Sequence, residues 1–334
     1  MTPLSLRSLR KTLLCASLAA VTGVLPFTAH AIEKMKIGTV VWAGYAPFYV
    51  ADELDLYKAH DLKVELQFFN DPGLIPSAML GSALDGGMLT YDQVIGSAAK
   101  GLKHKVVMPI DFSNGGDAIV ADKSIASVAD FKGKKVGFNP LSPSDFLLAY
   151  ALKINGLSDK DISPINMTPE GIPGAMASGS LLVGVTYEPN VSQILGMPGG
   201  KFHVVYSSKD APGLITDVLV FDEKIIAQKP AAIKALIQGY LDGLAYIEAH
   251  PDESAKIIGK VLGVSAEEAK EQMSGVYNIP LAEMATNFEK SDSTKSFFGS
   301  GAVIGQLLKD NSQIPMIPDF SGTFDAQFVE ALSN

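Results

Sequence analysis

The sequence predicts an α/β protein of two lobes, each built on a mainly parallel sheet flanked by helices. Strand-like and helix-like segments alternate along most of the chain, which is typical of α/β proteins with parallel sheets. The chain has 334 residues, a length that suggests two domains. Long amphipathic segments follow the alternating part, which indicates that helices near the end of the chain complete an earlier lobe.

The first alternating unit extends to about residue 112. Its strands are predicted at 35–41, 62–68, 84–89 and 105–110, and its helices at 47–58, 75–81 and 92–100. The second strand is typical, because apolar and polar residues alternate from Leu62 to Phe68 as in a half-buried strand. In this order the segments form one compact β-α-β-α-β unit.

A second alternating unit follows. Its strands are predicted at 118–121, 136–138, 181–186 and 202–206, and its helical segments at 127–131, 146–155, 168–179 and 189–195. Ser142 and Asp145 are typical of a helix start, and Gly156 of a helix end.

The last part of the chain changes character and predicts how the lobes interleave. Long helices are predicted at 230–249, 252–262 and 265–277, and crossing segments near 113–120 and 214–221. We therefore assign residues 32–116 and 219–334 to the first lobe, and 117–218 to the second.

Residues 1–31 are predicted to be a signal peptide that is cleaved after Ala31. Arg7, Arg10 and Lys11 form a positive start, an apolar stretch follows, and Ala29-His30-Ala31 fits the small-x-small cleavage pattern. The apolar stretch is too short for a comfortable membrane span. We therefore expect an exported, periplasmic protein.

Removal of this segment leaves a composition that excludes some partners. The remaining 303 of 334 residues contain no arginine and no cysteine, and the net charge changes from -9 to -12 because the segment carries three positive residues. An acidic chain without arginine is a poor nucleic-acid binder. Without disulfides, its stability must come from a large hydrophobic core.

Patterns for catalysis and for metal or cofactor binding are missing from the sequence. The four histidines of the mature chain never lie within one helical turn of each other: His60, His104, His203 and His250. No metal-ligand spacing therefore exists. The chain also has no Gly-x-Ser-x-Gly elbow, phosphate loop or dinucleotide fingerprint. We expect no catalytic residue, no metal and no cofactor.

Small, hydroxyl and amide residues are concentrated in four loops that follow predicted strands: 42–45, 90–92, 113–116 and 142–144. Ligands of α/β sheets bind outside the carboxyl ends of strands, where helix N-termini offer free N–H groups. Trp42 and Tyr45 add flat faces for an apolar or cationic part of a ligand. Each loop alone could be ordinary turn chemistry, but the four together indicate a ligand site.

The segment 42–51, Trp-Ala-Gly-Tyr-Ala-Pro-Phe-Tyr-Val-Ala, resembles the nitrate/sulfonate/taurine branch of the solute-binding proteins that feed ABC importers. The resemblance continues in order through Asp71-Pro-Gly, Leu84-Asp-Gly-Gly87, Ser113-Asn-Gly-Gly-Asp-Ala-Ile-Val120, Val128-Ala-Asp-Phe-Lys-Gly-Lys-Lys-Val136, Tyr187-Glu-Pro189 and Asp217-Val-Leu-Val-Phe221. It implies a type II periplasmic-binding fold, in which two lobes on a two-strand hinge close on a ligand.

The resemblance also implies a set of ligand-binding residues in the cleft loops, the hinge and the second lobe. They are Trp42, Gly44 and Tyr45 in the first loop, Thr90 and Asp92 in the second, Asn114, Gly115 and Gly116 in the hinge, Ser142 and Ser144 at a helix start, Glu188, and Asp217 on the return hinge. If Asp217 and Glu188 both face the cleft, they predict a ligand with a cationic end. Glu188 could equally be a structural carboxylate that caps a helix or turn.

Three departures from the family pattern bear on the ligand. Tyr187 replaces the usual tryptophan before Glu-Pro, and Leu181-Leu182 stands where the family often has an acidic residue. The missing arginine argues against relatives that clamp a carboxylate or sulfonate with a guanidinium. The missing cysteines argue against the chemistry of the thiamine-pyrimidine synthase relatives of this fold.

The resemblance thus implies the extracytoplasmic solute-binding component of an ABC importer. It would capture a small polar molecule, anionic or zwitterionic like a sulfonate, taurine or nitrate, and deliver it to a permease in the inner membrane. We expect a monomer without enzymatic activity. Two alternatives stay open: an exported enzyme that acts on a small heterocyclic metabolite, and a ligand-loaded sensor partner.

Overall fold

Two β-sheets, one of six strands and one of five, carry the fold of residues 32–333, the part of the chain that the computed structural model describes. The predicted signal peptide and its cleavage site lie outside these residues. The strands are β1 (Glu33–Thr39), β2 (Leu62–Phe68), β3 (Gly86–Thr90), β4 (His104–Ser113), β5 (Asp117–Asp122), β6 (Lys135–Phe138), β7 (Ser163–Asn166), β8 (Val183–Tyr187), β9 (Phe202–Ser207), β10 (Thr216–Asp222) and β11 (Val276–Asn278). The α-helices are α1 (Ala46–Glu53), α2 (Ile75–Leu80), α3 (Tyr91–Ala99), α4 (Pro143–Ile154), α5 (Gly171–Ala177), α6 (Asn190–Leu195), α7 (Glu223–Gln228), α8 (Pro230–Ala249), α9 (Pro251–Leu262), α10 (Ala266–Met273), α11 (Leu281–Met284), α12 (Phe297–Asp310) and α13 (Gln327–Ser333).

Both sheets are flanked by helices, and most strands of each sheet point in one direction, but the sheets are mixed rather than mainly parallel because each contains a reversed strand in its interior. The six-stranded order is β11-β4-β10-β3-β1-β2, and β10 runs antiparallel to both of its neighbours. The five-stranded order is β7-β6-β8-β5-β9, and β5 is the reversed strand. β5 is the strand by which the chain enters the second sheet, and β10 is the strand by which it returns to the first. Both reversed strands therefore begin at the edge where the other strands end.

The chain crosses between the sheets at two adjacent segments, 114–116 and 208–215. The Oγ atoms of Ser113 and Ser208 lie 2.8 Å apart, and the backbone N–H of Gly115 donates to Ser208 Oγ at 2.7 Å. The return crossing, 208–215, begins earlier than the predicted segment 214–221 and overlaps only its start, because residues 216–222 form a central, buried strand of the first sheet. The exact lobe boundaries stay a prediction.

The strands that the sequence did not predict, β7 and β11, form because they pair with neighbouring strands of the sheets. The predicted helix 265–277 ends at Met273, because residues 276–278 instead pair with the outer side of β4 as β11. The short edge strand β7 is polar and contains Pro164, so it lacks the pattern of a typical strand. Helix α8 has the bounds predicted for it. Among the described residues, no helix has both the length and the apolar character that crossing a membrane requires.

Candidate functional site

A cleft lies where the strand ends of the two sheets meet. The space between its walls that no atom fills is about 340 Å³, a volume that includes the solvent at its open mouth. Its lining is Val40, Trp42, Tyr45, Pro72, Met88, Thr90, Gln93 and Asp217 from the side of the first sheet, and Asp117, Pro143 and Tyr187 from the side of the second. Asp117 is the first residue of β5, and Asp217 is the second residue of β10. Both therefore line the same cleft at the start of a reversed strand. Because ligands of α/β sheets bind at such strand ends, this cleft is the candidate site.

The aromatic wall of the cleft begins with the loop after β1. The hydroxyl of Tyr49, on α1, accepts from the backbone N–H of Trp42 at 3.2 Å and lies 3.0 Å from the carbonyl of Val40, so the helix holds the loop in place. The Trp42 ring meets the edge of Tyr187 at 87°, with ring centroids 5.9 Å apart. This aromatic contact joins the two sides of the cleft.

Two aspartates lie directly opposite each other at the base of the cleft. The register of β4 and β10 pairs Asp111 with Asp217, which puts their side chains on one face of the sheet. The Tyr45 hydroxyl donates to Asp217 at 2.5 Å, and Trp42 Nε1 lies 3.3 and 3.4 Å from the two oxygens of Asp111. Gly44 has to be glycine here, because a Cβ atom would collide with Asp111 and with the Trp42 ring.

A third aspartate, Asp117, begins β5 on the other side of the cleft. The pKa of Asp117 is raised from 3.8 to about 7, chiefly by burial and also by the charges of Asp92 and Glu188, against a lowering hydrogen bond from Ser113. Burial likewise raises the pKa of Asp111 to about 8.

The pKa of Asp217 is also raised. Burial first, and then repulsion from Asp111, raise the pKa of Asp217 far above its ordinary value, although the Tyr45 hydrogen bond lowers it. A group of carboxyl groups that resist ionisation, placed in a cleft, is typical of a functional site.

No fixed cation offsets these carboxylates in the cleft. None of the described residues that line it is a lysine, and the chain has no arginine beyond residue 10. Within residues 32–333, no group of three or more His, Cys, Asp or Glu side chains is arranged to hold a metal ion. The side-chain donors at Asp111 and Asp217 include the neutral indole of Trp42 and the neutral phenol of Tyr45, so no positive side chain favours ionisation of these carboxyl groups.

Four of the residues predicted to bind a ligand line the cleft: Trp42, Tyr45, Thr90 and Asp217. Gly44 lies behind them and leaves room for Asp111. Asp92 and Ser142 line a neighbouring pocket between α3 and α4, separated from the cleft by Gln93, which lines both. Whether any of these residues contacts a ligand stays a prediction.

The remaining predicted residues have structural contacts and do not line the cleft. Glu188 accepts from the backbone N–H and the hydroxyl of Ser192 at 2.9 and 2.8 Å, which matches its alternative interpretation as a helix-capping carboxylate. Asn114, Gly115 and Gly116 form the first crossing, where Asn114 and Gly116 donate from their backbone N–H groups to the carbonyl of Gly275. Ser144 is buried in the first turn of α4, and its hydroxyl has no partner.

Sequence reasoning missed several lining residues, of which Asp117 and Tyr187 matter most, and it missed Asp111, which lies beside Asp217 behind the lining. The two aspartates interrupt or precede apolar runs, 106–110 and 118–121, and an acidic residue inside a buried strand is a usable signal. Tyr187 was visible only as a departure from the family pattern. Val40, Pro72, Met88 and Pro143 carry no signal of their own, because apolar residues at strand ends are common.

Known proteins share both the sequence pattern and the fold. The NMT1/THI5 like family matches residues 42–254. A protein of Brucella abortus is 26% identical over 258 residues, which are 76% of this chain and 79% of that protein. The taurine-binding periplasmic protein of Escherichia coli is 23% identical over 97% of this chain and 99% of its own length.

The fold agrees with a solved structure as well. The periplasmic aliphatic sulphonate binding protein SsuA of Escherichia coli superimposes with a TM-score of 0.70 at 20% identity, over 87% of this chain and 97% of that chain. These matches confirm the predicted fold and the resemblance that the motifs indicated. Because the family match spans more than half of its 334 residues, the chain belongs to the NMT1/THI5 like family.

Proposed function

We propose that this chain is the extracytoplasmic solute-binding component of an ABC importer, which captures a small polar molecule in the cleft and delivers it to a permease in the inner membrane. The observation that carries the proposal is the cleft itself, which is lined from both sheets at their strand ends. Relatives whose names state taurine or sulphonate binding support the same role.

The contacts across the cleft are of a kind that can open and close. Gln93 Nε2 donates to the carbonyl of Leu141 at 3.1 Å, and Lys153 pairs with Asp310 at 2.7 Å. The side chains of Lys153 and Asp310 are 47% and 43% exposed, so this pair adds little stability. Since only two short segments cross between the sheets, a modest hinge rotation would admit and release a ligand.

The lining supports binding over catalysis. Among the described residues that line the cleft there is no His, Lys, Ser or Cys, and so no nucleophile with an adjacent activating base. The relatives named above carry the names of binding proteins rather than enzymes. An enzyme acting on a heterocycle would have to rely on the carboxyl groups alone.

We further infer a periplasmic location, cleavage after Ala31 and a monomeric state. The positive, apolar and small-x-small order of residues 1–31 supports export, and the taurine-binding relative is named as periplasmic. A periplasmic solute-binding protein would then bind the permease at the periplasmic face of the inner membrane.

Native mass spectrometry of the full chain, expressed with its own signal and purified from the periplasm, tests the proposal. We expect a chain that begins at Ile32 and retains one small molecule, released unchanged in mass after prolonged incubation. A change in the mass of the released molecule would favour the enzyme instead. Absence of binding to every compound in a broad metabolite thermal-shift screen would contradict the proposed function.

A further inference from the structure

We propose that the cleft recognises its ligand through a protonated amine on a compact, partly apolar body, and that it excludes nitrate and sulfonates that lack an amine. This inference rests on the proposed function and specifies the chemistry of the same site. Taurine, the ligand in the name of one relative, carries such an amine, whereas the sulphonate in the name of another does not require one.

The first step is the charge that the fold concentrates in one place. Asp111, Asp117 and Asp217 are 0%, 2% and 4% exposed, and the register of β4 and β10 puts two of them directly opposite each other. Two carboxylates in such buried, opposed positions would repel each other, so the pKa of Asp217 is raised and keeping the pair buried costs stability. Such an arrangement is maintained at a cost in stability, which is typical of a binding site.

The second step is the absence of an internal counter-charge. Trp42 and Tyr45 donate hydrogen bonds to Asp111 and Asp217, and neither donor is positively charged. The charged neighbours that act on Asp217 and Asp117 are carboxylates: Asp111, Asp92 and Glu188, together with each other. An incoming anion would be repelled by whichever of these groups are ionised, whereas a cation would favour their ionisation and be attracted by the resulting charge.

The third step is an independent polar group that lacks a partner. The hydroxyl of Tyr187 has no hydrogen-bond partner, although its side chain is only 3% exposed and lines the cleft opposite Asp217. A buried hydroxyl without a partner is costly, which indicates that a ligand completes it. This hydroxyl can accept from an N–H group or donate to a polar atom on the body of the ligand.

The fourth step concerns the body of the ligand. Val40, Met88, Pro72 and Pro143 give the rest of the lining an apolar character, and Trp42 and Tyr187 supply aromatic faces. Such walls favour a compact apolar or flat group, and their π-faces attract a cation. A hydrated anion such as nitrate would find no positively charged side chain among the described residues of this lining.

The test compares ligands that differ in the amine only. Ligand-stripped protein is titrated with taurine against isethionate and with benzylamine against benzyl alcohol, and a thermal-shift library supplies further amine, alcohol and sulfonate triplets of equal size. We expect every hit to carry an amine, with a loss of about 100-fold or more when a hydroxyl replaces it, because the buried carboxylates are then left unpaired. An amine-free sulfonate or nitrate that binds as tightly as any amine overturns the inference.

A proton count gives a readout that needs no variant. At pH 7 the cleft holds protons on its carboxyl groups, so a cation releases protons on binding and an anion takes them up. Calorimetry in buffers of different ionisation enthalpy measures the sign directly. Proton release supports the inference, and proton uptake contradicts it.

Variants locate the effect. Asp217→Asn and Asp117→Asn should each weaken amine binding at least about tenfold, because each removes a charge from the cleft while keeping the side-chain volume. Glu271→Gln removes a charge from the exposed surface of α10 and should bind like the parent. Unchanged affinity in both aspartate variants overturns the inference.

Failure of the inference can be told from failure of the proposed function. If native mass spectrometry identifies a retained molecule without a protonatable nitrogen, the cleft binds a solute but not through an amine. If no molecule is retained and no library compound binds, the proposed function itself is wrong.

Discussion

Replacing Asp117 with asparagine should make the ligand-free protein more stable at neutral pH. Asp117 is buried at the start of β5, and its pKa in the folded protein is about 7 against an ordinary value of 3.8. Between these two values the folded protein holds a proton that the unfolded chain has lost. The free energy of unfolding therefore falls as the pH rises through this window.

The magnitude follows from the two pKa values. Stability changes by ~1.4 kcal/mol per pH unit where the two states differ by one proton. From pH 5 to pH 7 the Asp117 carboxyl group should therefore cost the folded protein about 2 kcal/mol, allowing for its partial ionisation at pH 7. Asparagine has no such group, so the variant should be about 1.7 kcal/mol more stable than the parent at pH 5 and about 4 kcal/mol more stable at pH 7.

Urea unfolding at both pH values measures this, with fluorescence of the single tryptophan, Trp42, as the probe. The Glu271→Gln variant controls for net charge, because that carboxylate is exposed on α10. The reasoning would be refuted by an Asp117→Asn variant that loses as much stability from pH 5 to pH 7 as the parent does.

Three further outcomes follow from single contacts. Glu188→Gln should lower the free energy of unfolding by about 1–3 kcal/mol, because the carboxylate that accepts hydrogen bonds from Ser192 loses its charge. Calorimetry should show unchanged ligand affinity. A tenfold loss of affinity would instead indicate that Glu188 contacts the ligand. Gly44→Ala should cost about 1–3 kcal/mol and abolish ligand binding, whereas Gly96→Ala, whose Cβ meets open space, should be neutral or stabilising in the same melting experiment. Tyr187→Phe should leave the melting temperature unchanged or raised, because the lost hydroxyl has no hydrogen-bond partner in the protein. The same variant should weaken ligand binding roughly tenfold. Equal affinity would show that the hydroxyl does not contact the ligand.

The sequence predicts most of the elements that build the two sheets, because buried strands and amphipathic helices leave periodic patterns. The bounds of β2 and α8 are as predicted, and most other strands lie within a few residues of their predicted positions. The edge strands β7 and β11 were missed, since their existence depends on the neighbour with which they pair.

The site was less predictable than the fold, and for a definite reason. Trp42 and Tyr45 belong to a motif that is contiguous in sequence, so they could be identified directly. Asp111 and Asp217 are more than a hundred residues apart, and only the register of two antiparallel strands makes them neighbours. A one-residue slip would turn one of them to the other face of the sheet, and no pattern in a single sequence fixes that register.

The two reversed strands give the cleft a mechanical property. Asp117 begins the strand that leaves the first crossing, and Asp217 is the second residue of the strand that follows the second crossing. These carboxylates belong to different sheets, and they sit at the pivot about which the sheets would rotate. Burial raises the pKa of both carboxyl groups, so a cation bound between them would favour their ionisation and attract both. Binding of a cation would then favour closure of the cleft. Because the two aspartates lie next to the crossing segments, a displacement of one ångström at the aspartates would correspond to a far larger movement at the outer rims of the two sheets.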